Sequence, residues 1–417
     1  MRQILDLHIH SKYSRACSRH LTLPHIDEAC RKKGVDIVAS SDFTFPQWFD
    51  HIKATLEEVG DSGLYRVKGG SDQATKFLLS TELALIYKDG DQVRRIHIMV
   101  HAPNLEAVEE LNNYLDKHYN IRSDGRPILG MSAPDLVKLC LKIHPEFLIY
   151  PAHIWTPWFA VFGSKSGFNS MEECFHDQTE HIYAYETGLS SDPPMNWRIS
   201  ALDDLTTLSN SDAHSLPNIG REANVMDLQE PGYKEIREVI KNKDLTKFLE
   251  TIEFYPEEGM YHYDGHRNCG VSYKPQETHK HKNICPVCKK PLTVGVMNRV
   301  EELADREEGF VPEEHTPFRK LVELDKIIAE SLGIKSRNSR KVQGVYEELI
   351  DQAGSELHIL MEADLDRLKE YADPVIVEGV SRVRKGDLMV RPGFDGQYGE
   401  VSIFKPEEKK DKQPSLF

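Results

Sequence analysis

The chain has 417 residues, enough for two or three domains with a sizeable buried core. Its seven cysteines are scattered apart from Cys285 and Cys288, and no apolar run reaches the length of a membrane span; both facts argue against a disulfide-stapled scaffold or a helical membrane protein. A net charge of -15 excludes blanket electrostatic attachment to nucleic acid but leaves room for a local basic groove. Met1-Arg2-Gln3 leads straight into a strand with no signal-peptide pattern, so a reducing, cytoplasmic location is expected.

From Met1 to about residue 254, short apolar runs alternate with amphipathic segments. Strands are expected at Ile4–Ile9, Val35–Ala39, within Phe77–Ile86, and at Arg95–Val100, Phe147–Pro151, Ile182–Tyr185 and Leu205–Ser209. Helical spacing falls at Thr22–Lys33, Gln47–Glu58, Leu105–His118 and Ala133–Ile143, the last opened by Ser132 as N-cap with a proline in its first turn. Such alternation predicts parallel strands with crossover helices, in a barrel or an open sheet, and catalytic groups at the strands' carboxyl ends. The pattern breaks at Tyr255-Pro256-Glu257-Glu258-Gly259. A Cys/His-rich module spans 256–297, and a mainly helical domain, 298–404, follows with helices expected at Met297–Glu307, Phe318–Leu332, Gln343–Ala353 and Ala363–Glu370. Val375–Val390 reads as mixed, Glu400–Phe404 as a short strand, and 405–417 as a disordered tail.

Candidate ligands sit near the strand ends. On a strand, His8 and His10 of Leu7-His8-Ile9-His10 leave the same side together. Asp42 follows Ile37-Val38-Ala39; Glu82, His97 and His153 lie in or just after later strands; Asp212 and His214 close the set. Imidazole and carboxylate donors in this mixture suit zinc or manganese, and a bridging carboxylate would hold two ions close together. Such a pair can generate hydroxide at neutral pH and clamp both oxygens of a phosphodiester displacement.

His8-Ile9-His10, Glu82, His97, His153 and Asp212-Ala213-His214, in this order, resemble the polymerase-and-histidinol-phosphatase (PHP) family of metal-dependent phosphoesterases. The resemblance implies a distorted (β/α)7 barrel over 1–255 with two or three divalent ions (Zn, Mn or Mg), and counts Asp212, His214 and Glu82 among the catalytic groups. His101 competes with His97, which is favoured because alternating apolar residues follow it, as in the family. Two family histidines are replaced, by Phe43 and Ala16, so two ions are better provided for than three. Pro151-Ala152-His153-Ile154-Trp155-Thr156-Pro157-Trp158, Glu186-Thr187-Gly188-Leu189-Ser190-Ser191-Asp192-Pro193 and Gly220-Arg221-Glu222-Ala223-Asn224 narrow the likeness to the endonuclease Q family. That implies a DNA repair endonuclease cutting 5′ to deaminated bases (uracil, hypoxanthine, xanthine) or abasic sites; the alternative is a PHP-type phosphatase for a small phosphomonoester.

His266, Cys269, Cys285 and Cys288 give HxxC and CxxC pairs that suit a closed, structural zinc site, with His262, His279 and His281 as nearby competitors for the histidine place. Aromatic residues beside His153 predict a loop that holds or replaces a flipped base, with Trp155 and Trp158 as its candidates. Lys165, Arg198 and Arg221, with Arg15 and Arg19, are candidate phosphate partners, and Lys335, Arg337, Arg340 and Lys341 form a further basic patch. The ending Gln413-Pro414-Ser415-Leu416-Phe417 resembles a sliding-clamp-binding pentapeptide in which Gln413, Leu416 and Phe417 make the contacts.

Overall fold

The computed structural model describes residues 1–71 and 73–405. The tail expected to be disordered, with Gln413, Leu416 and Phe417, lies outside the described residues. Among these residues no helix is long and apolar enough to cross a membrane. They form two compact units: Met1–Arg31, Val35–Ile252 and Val296–Phe318 make the first, and Lys32–Gly34, Glu253–Gly295 and the chain from Arg319 the second. The segment 298–318, read from the sequence with the C-terminal domain, therefore packs with the first unit.

The first unit is mixed α/β. Its strands are β1 (Arg2–Asp6), β2 (Ile37–Ala39), β3 (Leu56–Glu58), β4 (Leu64–Val67), β5 (Lys76–Leu78), β6 (Ser80–Asp89), β7 (Gln92–His101), β8 (Ile128–Leu129), β9 (Leu148–Pro151), β10 (Ala184–Glu186), β11 (Thr206–Leu208), β12 (Ala223–Asp227) and β13 (Phe248–Glu253). Backbone hydrogen bonds run in three arcs, β13-β12-β1-β2-β5-β4-β3, β8-β6-β7-β9 and β10-β11, and not around one closed ring. β1, β2 and β5 pair in parallel, as do β10 and β11, whereas β12, β13 and the β6–β7 hairpin are antiparallel.

Single links join the arcs. Leu79 alone separates β5 from β6, the Ile154 amide donates to the Glu186 carbonyl at 3.0 Å, and Ile9 bridges Ala213 in parallel beyond β1. One apolar cluster draws on almost every strand, through Leu5, Leu7, Ile37, Leu78, Met99, Tyr150, Ala184, Leu208 and Met226. Each fully buried Leu, Ile or Met among them contributes roughly 1.5–3 kcal/mol. Leu5 and Leu7 take one parity of the strand; Asp6, His8 and His10 take the other, and the period of two aims the histidines together.

Flanking helices follow their caps. Asn104 accepts from the Ala107 amide to start Leu105–His118, and Ser132 caps Ala133–Ile143 with Pro134 in the first turn. The helix expected over Gln47–Glu58 stops at Thr55, because Leu56–Glu58 turns extended and pairs with β4 around Gly60 and Gly63, both at positive φ.

The second unit carries the short hairpin Asp264–His266/Val271–Tyr273 and a helical region: Leu324–Ser331, Arg340–Ala353, Glu356–Met361, Leu365–Leu368 and Pro374–Lys385. The helix expected from Phe318 begins only at Leu324, after an extended stretch. Val375–Val390, read as mixed, resolves into the helix ending at Lys385 and the strand Met389–Arg391, which pairs with Glu400–Ser402; Gly386 at positive φ closes the helix between them.

Candidate metal centre

His8 and His10 stand just past β1 and are fully buried. One donor atom from each of His8, His10, Glu82 and Asp212 lies within 4.8 Å of the others, and the same is true of Glu82, His97 and His153. Glu82 belongs to both groups. Its Oε2 lies 3.2 Å from His10 Nε2 and 3.6 Å from His8 Nε2, while its Oε1 lies 2.7 Å from His97 Nδ1 and 3.1 Å from His153 Nε2. Asp212 Oδ1 closes the first group at 3.0 Å from His10 Nε2.

The donors' far sides are held. His8 Nδ1 faces Glu186 Oε1 at 3.0 Å, and His10 Nδ1 faces Asp42 Oδ1 at 3.3 Å. A carboxylate behind each ring fixes the proton on Nδ1 and leaves the Nε2 lone pair for a ligand. His8 Nε2, His10 Nε2 and Asp212 Oδ1 are buried without a hydrogen-bond partner; the 3.0 Å approach of the last two is misaligned for one. Buried polar atoms are nearly always satisfied, so three that converge on one place fit a cation. Burial resists charging His8 and His10, yet the carboxylates of Glu186, Glu82 and Asp212 around His8, and of Asp212, Asp42 and Glu82 around His10, raise both well above the ordinary range. A bound cation competes for that same place with the proton. Burial lowers His97 to about 4, against the pull of the Glu82 carboxylate. Glu82 is held well below the usual carboxylate range: burial opposes this, and the charges of His97, Arg126 and His8 prevail.

Backbone geometry at the site is unusual. Asp42, His153 and Asp212 have φ of 42°, 29° and 46°, in the left-handed region. Close approach also demands glycine at 188, where a Cβ would meet His153 Cβ at 2.4 Å.

Several residues singled out in the sequence stand differently in the structure. Asp42 is not among the grouped donors: its Oδ2 accepts from Ser11 N, Ser11 Oγ and Ser14 Oγ at 2.8, 2.5 and 2.7 Å, and its Oδ1 holds His10. His214 stands beside the group, its ring 4.6 Å from that of His10, with Nδ1 donating to the Asp212 carbonyl at 2.8 Å. It too lies outside the grouped donors. Trp155 is a core residue, 1% exposed, its Nε1 donating to Asn196 Oδ1 at 2.7 Å, and so is unavailable to a base.

His97, not His101, enters the centre; His101 is buried against the Tyr150 hydroxyl at 2.9 Å. Trp158 is 48% exposed, next to Phe159, whose ring lies 4.6 Å from that of His97. Arg299 fastens this aromatic loop through the Phe162 and Phe168 carbonyls. Lys165 is exposed. Arg198 is not free for phosphate: it is buried, paired with Glu301 at 2.7 Å and donating to the Arg306 carbonyl. Arg221 donates twice to the Ser211 carbonyl, steadying the residue before Asp212. In the second unit, Arg337 pairs with Glu323 and Asp325, so the basic patch there reduces to Lys335, Arg340 and Lys341.

Two residues that contact the centre were given no site role in the sequence reading. Glu186 also accepts from the His153 amide at 3.2 Å and from Asn210 Nδ2 at 3.0 Å; as a carboxylate ending β10, it carried the signal that singled out Glu82. Arg126 donates from Nη1 to Glu82 Oε2 at 2.8 Å and carries no motif at all.

A second cluster brings together His266, Cys269, Cys285 and Cys288. His266 ends the first strand of the hairpin and Cys269 lies in its turn, and Cys288 Sγ lies 3.6 Å from His266 Nδ1. His281 is engaged elsewhere, stacked on Tyr273. Val271, Cys285 and Leu292 form a minimal apolar core. Three sulfurs and one imidazole nitrogen suit a closed tetrahedral site.

The lesion-specific endonuclease PfuEndoQ from Pyrococcus furiosus superposes with a TM-score of 0.85 at 29% identity, covering 100% of both chains. An endonuclease Q solved with a 27-mer duplex bearing an abasic lesion at its active site gives a TM-score of 0.84 at 30% identity, covering 100% of this chain and 99% of that one. The chain belongs to the endonuclease Q family. The uncharacterized protein YqxK of Bacillus subtilis is 29% identical over 95% of this chain and 98% of that protein. The uncharacterized protein MJ0043 of Methanocaldococcus jannaschii is 33% identical over 261 residues, 61% of this chain; those residues span only 32% of that longer relative. The family described as the MJ0043 C-terminal domain matches residues 323–387, within the helical region.

Proposed function

We propose that this chain is a metal-dependent DNA repair endonuclease that hydrolyses the phosphodiester 5′ to a deaminated base (uracil, hypoxanthine or xanthine) or an abasic site. One observation carries the reading: two donor groups share the Glu82 carboxylate, with orphaned buried atoms converging on one of them. His8, His10, Glu82 and Asp212 would hold one divalent ion (zinc, manganese or magnesium), and Glu82, His97 and His153 a second. Bound there, such ions supply Lewis acidity and make water acidic enough to attack at neutral pH. Glu186 and Asp42 keep the His8 and His10 rings oriented, and Thr156 Oγ, 3.2 Å from His153 Nδ1, does the same for His153. Asp212, 23% exposed at its side chain, meets the substrate side. Water's oxygen adds to phosphorus and its proton ends on the departing 3′ oxygen, leaving a 3′-hydroxyl and a 5′-phosphate.

Trp158 offers the exposed face on which a displaced base or its neighbour stacks, and Lys165 a phosphate contact beside it. The Cys/His cluster would hold one structural zinc. The terminal Gln413, Leu416 and Phe417 would tether the enzyme to a sliding clamp. The test is incubation with end-labelled duplexes carrying uracil, hypoxanthine or an abasic site, with manganese or with chelator. A single metal-dependent nick 5′ to the lesion is expected. Turnover of a small phosphomonoester with every duplex left intact would overturn the reading.

A further inference from the structure

The loop before β8 is pressed against the metal centre. The Gly125 amide donates to the Tyr13 carbonyl at 3.1 Å, and Asp124 Oδ1 accepts from the Arg126 amide at 3.0 Å. A Cβ at Gly125 would lie 2.4 Å from both Asp42 Oδ2 and Ser14 Oγ, so only glycine lets the chain pass there. The loop is then locked to β6, since the Ala84 amide donates to the Pro127 carbonyl at 3.1 Å and Ile128 pairs with Ala84. All of this delivers Arg126 to Oε2 of Glu82, 2.8 Å away, with 22% of its side chain exposed. One Nη holds the carboxylate, and among the described residues no other hydrogen-bond partner engages the part-exposed guanidinium. Asp42 has both oxygens engaged, so among the described residues the centre offers donors for two ions, with a fixed guanidinium beside them in place of a third.

The geometry points to Arg126 as a catalytic residue that grips a non-bridging oxygen of the scissile phosphate while its other edge stays anchored on the shared carboxylate. This assignment rests on the phosphodiesterase reading above. Guanidinium is suited to the task because it is planar, permanently charged and able to donate along two edges at once. Charge builds on the phosphoryl oxygens in the transition state, and a pre-placed donor there needs no reorganisation.

The experiment compares the full-length wild type with Arg126→Ala and Arg126→Lys, loaded with manganese, on a duplex containing one abasic site. A single-turnover rate roughly 100- to 1,000-fold lower is expected for Arg126→Ala, as for loss of one oxyanion donor. Metal content by emission spectrometry and affinity for uncut duplex should hold within about threefold, and Arg126→Lys should fall between. Free guanidinium ion should restore part of the Arg126→Ala rate, and a neutral methylphosphonate at the scissile position should slow the wild type far more than that variant. A wild-type rate in Arg126→Ala, or a loss of rate that tracks loss of metal, would overturn the assignment; the latter makes Arg126 only a holder of Glu82. A second arm uses inorganic phosphate as the probe, titrated into the manganese-loaded proteins. At least tenfold weaker binding by Arg126→Ala is expected even if no duplex is cut; equal binding would sink the assignment, while an inactive wild type sinks the nuclease reading instead.

Discussion

At the Glu82 centre, the nitrogens of His8 and His10 that face the cluster are matched by second nitrogens held against carboxylates, whereas around Cys285 the donors are mostly thiols set on tight turns over a few apolar side chains. The first arrangement rests on a fully built core and would keep its rings oriented with or without an ion. The second has little core to fall back on; Val271, Cys285 and Leu292 cannot fold a segment of some forty residues alone. The difference teaches what each would use a metal for. At one site the fold positions the ion, and at the other the ion positions the fold.

Substitutions can break this contrast. Cys285→Ala should have the largest effect, removing most of the folding free energy that a zinc held there would supply to 264–292, on the order of 10 kcal/mol. Hydrogen exchange should show that segment unprotected and metal analysis one zinc lost, with the β6–β7 hairpin still protected; protection retained throughout would put the two sites on the same plan. His8→Ala or Asp212→Ala should leave the fold intact and reduce nicking below roughly a thousandth of wild type, about 4 kcal/mol on the barrier, while lesion duplex still binds in a gel-shift assay. Glu186→Gln keeps the shape but removes the charge behind His8, so metal affinity should fall roughly 10- to 100-fold in a competitive chelator titration. The smallest effect belongs to Trp158→Ala: unchanged thermal unfolding, but about 1–3 kcal/mol lost in binding lesion DNA. Equal losses on intact and damaged duplex would make Trp158 a general contact, with no part in lesion reading.

The donors that the structure brings together were legible because imidazoles and carboxylates placed at strand ends carry a chemical signature that survives without coordinates. His8, His10, Glu82, His97, His153 and Asp212 were all readable in this way, and so were the four residues of the second cluster. What supports them was not. Glu186 was passed over although it ends β10 behind His8, and a lone arginine in a loop, such as Arg126, has many equivalents along the chain. Burial was equally hidden: Trp155 and Trp158 are three residues apart in the text, yet one faces Asn196 in the core and the other faces solvent. Arg198 looked like a phosphate partner until Glu301, far along the chain, neutralised it. Among the elements, β12, β13 and the helix Tyr233–Lys241 were missed, because the strand–helix alternation that announced the parallel strands gives way there to an antiparallel edge.

The left-handed backbone at Asp42, His153 and Asp212 has a bearing on how this protein could be engineered. Each such conformation costs a non-glycine residue on the order of 1–3 kcal/mol and persists only because its surroundings enforce it. Selection for heat tolerance alone would drift toward glycine or asparagine at these three places and be rewarded with a sturdier molecule. It would also discard the side chains that define the centre, so resilience and chemistry are set against each other at the same three peptide units.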